Sequence, residues 1–263
     1  MSSSTVPDPP VVVVTGAGAG IGRACALRFA AGGWRVVVVD VDAARAAATC
    51  KAISSAGGDA VDVHGDISVA ATSKSAAQAA LDHWGRVDAL VANAGIQSQG
   101  RLLDMPESEW QRVMAVNVDG VAHACRAVLP LMIERRSGSI VVIPSVNALQ
   151  GTPGMAAYDT SKAAVIGLAR QLAVEHGADG IRVNVVCPGN TITDHHIDRL
   201  AAKGIGVAQL REMTRGYGLL GRAAEPEEIA ASVYFLAGAE ASFVTGQVLA
   251  VDGGFSISAA TRR

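Results

Sequence analysis

The sequence predicts a doubly wound α/β fold: a single domain built on one seven-stranded parallel sheet with helices on both faces. Three observations carry that expectation. Short valine-rich runs alternate with longer helix-like segments along the whole chain. The runs are unbroken rather than alternating, the mark of strands buried on both faces of a parallel sheet. The 263 residues are 50% apolar and 4% aromatic, with 29 glycines, so small side chains dominate the core and suit close helix–sheet packing.

The elements follow in βα order. Val11–Thr15 is a β-branched strand ended by glycines, and Gly20–Ala31 reads as the first helix. Arg35–Asp40 is a second strand, leading to a helix over 42–56. A third strand fits 60–65 and a helix 69–84. A fourth strand at 88–92 precedes a long helix over Glu107–Arg135, interrupted near Asn117. A fifth strand at 139–144 leads to a helix over 156–177, then a sixth strand at 182–187. Residues 191–220 read as irregular or helical. A helix over 226–238 starts on Pro226, whose missing N–H costs nothing in a first turn. Val248–Val251 closes as the seventh strand. No linker composition or fixed-period repeat divides the chain. Residues 11–258 are therefore expected to form one domain between polar tails at 1–10 and 259–263.

The net charge of −2, with no like-charge run, argues against a nucleic-acid partner. The apolar stretch 116–133 is interrupted by Asn117, Asp119, His123 and Arg126, so no membrane span is expected. Residues 1–10 lack a basic residue and an apolar stretch and do not read as a leader. Cys25, Cys50, Cys125 and Cys187 are dispersed in apolar segments, the pattern of reduced buried thiols in a cytoplasmic protein. His195 and His196 are adjacent and point apart on most backbones. They read as loop residues, and no metal is expected.

Thr15-Gly16-Ala17-Gly18-Ala19-Gly20-Ile21-Gly22 follows the first strand and opens the first helix. Glycines there permit a tight turn and close backbone approach to a pyrophosphate, while the helix N-terminus offers free N–H groups and a favourable dipole. This strand–loop–helix is the dinucleotide-binding arrangement of Rossmann folds. Asp40 ends the second strand, where a carboxylate accepts from both adenosine ribose hydroxyls and repels a 2′-phosphate. A helix N-cap is the plain structural alternative for Asp40. No Lys or Arg lies within 17–19 or directly after Asp40, beside Val41. Both charge observations favour NAD over NADP.

Tyr158 and Lys162 are spaced i, i+4, which puts them on one helix face. A nearby ammonium favours the phenolate and is expected to lower the tyrosine pKa, making Tyr158 a general acid/base for a carbonyl or hydroxyl. Ser145, just past the fifth strand, can hydrogen-bond the same substrate oxygen.

With these motifs in order, residues 11–255 resemble the short-chain dehydrogenase/reductase family. The matching positions are Thr-Gly-x-x-x-Gly-Ile-Gly at 15–22, Asp66, Asn93-Ala94-Gly95, Asn117, Ser145, Tyr158 with Lys162, Pro188-Gly189 with Thr193, and Gly246-Gln247 through Asp252-Gly253-Gly254. The resemblance implies that Tyr158 is the acid/base and that Lys162 tunes it and binds the nicotinamide ribose. Ser145 would polarise the carbonyl, and Asn117 would hold a water in a proton relay to Lys162. Gly16, Gly18, Gly20, Ile21 and Gly22 would cradle the dinucleotide, with Asp40 and Val41 at its ribose. Asp66 and Ile67 would meet the adenine. Asn93, Ala94 and Gly95 would brace the sheet and touch the adenosine ribose. Pro188, Gly189, Thr191 and Thr193 would fix the carboxamide and diphosphate. Pro144 departs from the polar residue many relatives carry there.

Substrate choice is expected from Ser145, Asn147, Gln150, Met155, Tyr158, Asn190, His195 and His196, a polar set that suits a sugar or polyol. The expected activity is NAD-dependent hydride transfer on a small-molecule secondary alcohol or ketone. A 3-oxoacyl thioester reductase is an alternative. An epimerase or dehydratase would carry a longer substrate domain, and a non-catalytic dinucleotide-binding regulatory module would lack one of Tyr158, Lys162, Ser145 or Asn117. Apolar second faces on the helices around Asn117 and Tyr158, with the family resemblance, imply a homotetramer.

Overall fold

The computed structural model of the protein describes residues 8–202 and 204–258, without the side chains of His195 and Arg199. Most of the 1–10 tail and the whole 259–263 tail thus lie outside the described residues. Seven strands form one sheet: β1 (Val11–Thr15), β2 (Arg35–Asp40), β3 (Ala60–His64), β4 (Ala89–Ala92), β5 (Gly138–Val142), β6 (Ile181–Pro188) and β7 (Val248–Val251). Their order is β3-β2-β1-β4-β5-β6-β7, and all neighbours are parallel.

The valine runs explain both layers. Successive strand side chains point to opposite faces. Val11, Val13, Val37 and Val39 pack on one face against α3 (Ala70–Trp84), α5 (Gly120–Arg135) and α6 (Ala156–His176). Val12, Val14, Val36 and Val38 pack on the other against α1 (Gly20–Ala31), α2 (Ala43–Ser55) and α9 (Pro226–Ala237). Phe29 of α1 meets Trp34 at 5.0 Å and Tyr234 of α9 at 5.2 Å, both edge-on. These scarce aromatics lock α1 to α9, and truncating Phe29 to Ala is worth about 3–5 kcal/mol.

Some expectations change. The third and seventh strands are edge strands and are not buried on both faces, with Asp62 and His64 exposed on β3. Pro144 lies beyond β5 rather than at its end. Asp42, not Asp40, caps α2, accepting from the Ala44 and Arg45 amides. The long helix is not interrupted at Asn117: α4 (Glu107–Met114) continues through a π-turn (Ala115–Asp119) into α5. The run Glu107–Arg135 has the length and apolar content of a membrane span, yet Val121, Cys125, Val128 and Met132 on it pack into the core. The stretch after Gly189 folds into two short helices, α7 (Asp194–Ala201) and α8 (Val207–Met213).

Strand order reverses between β1 and β4, so the loops that leave their carboxyl ends diverge and open a crevice.

Candidate active site

A cleft of about 940 Å³ lies at those strand ends, running from the glycine loop to the start of α6. The loop's shape follows from residue size. Gly16 and Gly20 adopt positive φ of 64° and 52°, which side chains disfavour. A Cβ on Gly22 would stand 2.0 Å from the Gly16 carbonyl, so only glycine lets α1 start this close to the loop. Asn93 Nδ2 donates to the Thr15 and Gly16 carbonyls at 3.0 and 3.2 Å. Thr15 Oγ1 accepts from the Asn93 and Ala94 amides. The predicted Asn93-Ala94-Gly95 segment therefore ties β4 to the loop.

The N-terminus of α1 has no side-chain cap and no acidic residue in its first turn. An anion nevertheless reaches it: Asp194 accepts from the Gly20 N–H at 2.7 Å. Asp40 Oδ2 accepts from Gly18 N–H at 2.8 Å and Oδ1 from Asp42 N–H at 2.9 Å. Asp40, Val41, Asp66, Ile67, Gly95, Pro188, Gly189, Asn190, Thr191 and Thr193 all line the cleft. Gly18 and Gly22 shape the loop from behind the lining. An uncapped helix end that already accepts a carboxylate, a glycine cradle and an acidic strand end form a donor and acceptor set that fits a dinucleotide.

At the other end, α6 puts Tyr158 and Lys162 on one face, with Lys162 Nζ 5.5 Å from the Tyr158 ring centroid. Tyr158 lines the cleft together with Ser145, whose Oγ accepts from Asn147 N–H at 3.2 Å. The expected lowering of the Tyr158 pKa by Lys162 is not found. Burial pushes the phenol up, the Ser145 hydrogen bond pulls it down, and the Asp159 charge raises it. Lys162 is itself only 5% exposed, and burial brings its ammonium down to about 8. Removing water costs the charged form of each group, and that cost is the largest influence on both.

Asn117 sits on the π-turn and is fully buried. Its Oδ1 accepts from Ile96 N–H at 2.8 Å, and its Nδ2 donates to the Ile96 carbonyl and to Ser161 Oγ, each at 2.9 Å. Gly95 lies between it and the lysine: a Cβ there would be 2.7 Å from Lys162 Nζ and 3.2 Å from Asn117 Oδ1. The extra residue of a π-turn aims this amide inward, a common device at functional sites.

Gln150 is not brought to the cleft. The side chain of His195 lies outside the described residues, and its neighbour His196 lines the cleft, its Nδ1 2.7 Å from the Thr191 carbonyl. The lining residues that escaped the sequence reading include Arg45 and the stacked pair Tyr217 and Phe255, centroids 4.9 Å apart. Arg45 stands five positions past Asp40, and α2 turns it back over Gly18, where it pairs with Asp198 at 3.0 Å.

Comparison with known proteins agrees with this arrangement. A family model described as Enoyl-(Acyl carrier protein) reductase matches residues 16–256. The chain is 39% identical to meso-2,3-butanediol dehydrogenase of Serratia marcescens over 251 residues, covering 95% of this chain and 96% of the relative. It is 37% identical to a 3-oxoacyl-(acyl-carrier-protein) reductase of Thermotoga maritima, covering 94% and 98%. A solved 7α-hydroxysteroid dehydrogenase, complexed with NADH and 7-oxo glycochenodeoxycholic acid, superposes with a TM-score of 0.85 at 34% identity and covers 94% of each chain. A glycine loop, Tyr158 and Ser145 in the cleft beside buried Lys162, and full-length similarity to dehydrogenases and reductases converge: the chain belongs to the short-chain dehydrogenase/reductase family of nicotinamide-dependent oxidoreductases.

Proposed function

We propose that the protein is an NAD-dependent dehydrogenase or ketone reductase in which Tyr158 moves the proton of a small-molecule secondary alcohol. The observation that carries this reading is the placement of Tyr158 and Ser145 beside buried Lys162, at one end of a cleft whose other end is the glycine loop. The glycine loop, Asp40, Val41, Asp66, Ile67, the Asn93–Gly95 segment and the Pro188–Thr193 segment would hold the dinucleotide. When bound, the dinucleotide supplies the hydride acceptor or donor.

The chain's own residues do the rest. Ser145 donates to the substrate oxygen and orients it toward Tyr158. In oxidation Tyr158, as phenolate, accepts the hydroxyl proton; in reduction the phenol returns it. Lys162 supplies a positive charge that favours the phenolate once its ammonium is held in place. Asn117 fixes the loop after β4 and backs Lys162 through Gly95. Asp40 selects NAD, because its carboxylate would face the 2′-phosphate of NADP.

The test is a coupled absorbance screen of sugars, polyols, secondary alcohols, hydroxy acids and acetoacetyl-CoA with NAD(H), NADP(H) run in parallel. Turnover with NAD(H) on a carbinol or ketone supports the proposal. Equal or better rates with NADP(H) overturn the cofactor assignment, and NADH binding without turnover overturns the enzymatic one.

The same reading places the protein in the cytoplasm as a homotetramer. Four unpaired cysteines support the first, and the exposed Val174, Phe243 and Ile257 support the second. Light scattering that returns a monomer at micromolar concentration overturns the tetramer.

A further inference from the structure

We infer that Asn147, its amide fixed in one orientation by Asp159, accepts a hydrogen bond from a second substrate hydroxyl, so that the substrate is a diol or polyol. The inference rests on the oxidoreductase reading above and deepens it. Asp159 is the residue after Tyr158, and its carboxylate clasps the segment that follows Ser145. Its Oδ1 accepts from Asn147 Nδ2 at 2.9 Å, and its Oδ2 accepts from Thr152 N–H at 2.7 Å.

A carboxylate offers only acceptors, so the amide nitrogen of Asn147 must face it. The amide oxygen then points elsewhere. Among the described residues none donates to that oxygen. Asn147 lines the cleft beside Ser145 and Tyr158, and its backbone N–H is anchored on Ser145 Oγ. The reacting oxygen belongs at Ser145 and Tyr158, and Asn147 lines the same cleft two residues along from Ser145. A hydroxyl can donate to the Asn147 amide oxygen. A ketone or thioester carbonyl cannot. A site built around such an acceptor disfavours an analogue lacking the hydroxyl, because the group is then left unpaired. Asp159 is a positioning residue here: it touches Asn147, not the substrate.

The experiment compares meso-2,3-butanediol with 2-butanol at saturating NAD+, in the unaltered protein and in Asn147→Ala, Asp159→Ala and the double variant, with NADH binding followed by fluorescence. Acetoacetyl-CoA reduction with NADH is run alongside. The expected result is a preference for the diol of about tenfold or more in kcat/KM. Each single variant loses most of that preference, chiefly through the KM of the diol, with kcat/KM for 2-butanol falling less than that for the diol and NADH affinity changed less than about threefold. The double variant is no worse than either single one, because the two residues act as one unit.

Equal efficiency on both alcohols in the unaltered protein overturns the inference and leaves the oxidoreductase reading standing. Equal losses on both alcohols, or weakened NADH binding, in Asp159→Ala overturn it by showing a general structural role. Additive losses in the double variant overturn the coupling between the two residues. Turnover of acetoacetyl-CoA with neither alcohol accepted overturns it in favour of a thioester substrate. NADH binding with no turnover of any of the three overturns it together with the oxidoreductase reading.

Discussion

The carboxylate of Asp194 accepts a 2.7 Å hydrogen bond from the backbone N–H of Gly20, bringing α7 onto the first turn of α1. Arg45 of α2 reaches the same helix through Asp198 at 3.0 Å. A helix N-terminus favours an anion by dipole and by its free N–H groups. A pyrophosphate held by the same turn competes with Asp194 for one donor and repels its charge. Asp194→Asn is therefore expected to tighten NADH binding by about three- to tenfold, since such helix-end effects are worth about 0.3–1 kcal/mol and like-charge repulsion adds to them. NADH fluorescence titration measures it. Weaker binding would show that the carboxylate supports the loop instead.

Tyr158→Phe removes the proton donor while leaving the ring's packing. Turnover should fall by about 10²–10⁴-fold, the range for general acid–base catalysis, with NADH affinity kept within about twofold. The pH dependence has a defined sign. Burial raises the Tyr158 pKa, so the phenol keeps its proton to higher pH. Alcohol oxidation, which needs phenolate, should gain rate as the medium becomes alkaline, and ketone reduction should lose it. The Lys162 ammonium is lost as pH rises through about 8, so cofactor affinity should weaken across that range. Parallel pH profiles in both directions with optima at the same acidic pH would contradict the assignment.

Asp40→Ser should raise the NADP/NAD ratio of kcat/KM by about tenfold or more, a shift of at least about 1.4 kcal/mol. The removed carboxylate no longer opposes a 2′-phosphate, and Arg45 is already beside it. Because Asp40 also accepts from the Gly18 and Asp42 amides, NAD affinity should fall as well. An unchanged ratio would mean that Asp40 serves only to shape the loop.

Arg182→Ala tests stability away from the chemistry. The Arg182 guanidinium donates to the carbonyls of Leu236, Ala237, Gly238 and Val244 at 2.7–3.4 Å. The last turn of a helix has carbonyls with no intrahelical donor, and Arg182 supplies donors to the end of α9. Losing these charged hydrogen bonds should cost about 2–4 kcal/mol by urea denaturation, with KM values retained below the melting range. A loss under about 0.5 kcal/mol would show that water replaces the guanidinium.

Much of the fold was legible because its signals are local. Valine runs favour strands wherever they fall, and β1, β2, β7 and α1 lie at the residues expected from the pattern. The edge strands misled because burial on a second face depends on a neighbour, which β3 and β7 each have on one side only. The glycine loop, Asp40 and the Tyr158–Lys162 pair were equally visible, since each is set by adjacent or i, i+4 positions. Gln150, Asn147 and His196 were all chosen for polarity near the motifs. Which side chain faces a cleft is decided by the loop's path, and that path brings Asn147 and His196, but not Gln150, to the cleft.

By itself the sequence determined the parallel sheet, the glycine loop and the one-face pairing of Tyr158 with Lys162, because these depend on residue size, branching and short-range spacing. Tertiary structure alone decided their electrical state and their company. Burial rather than Lys162 dominates the Tyr158 pKa. Arg45 arrives beside Asp40, Asp194 reaches Gly20, and Asp159 fixes the amide of Asn147. Solvent exclusion and contacts between residues far apart in the chain arise only when the sheet and its helices are packed.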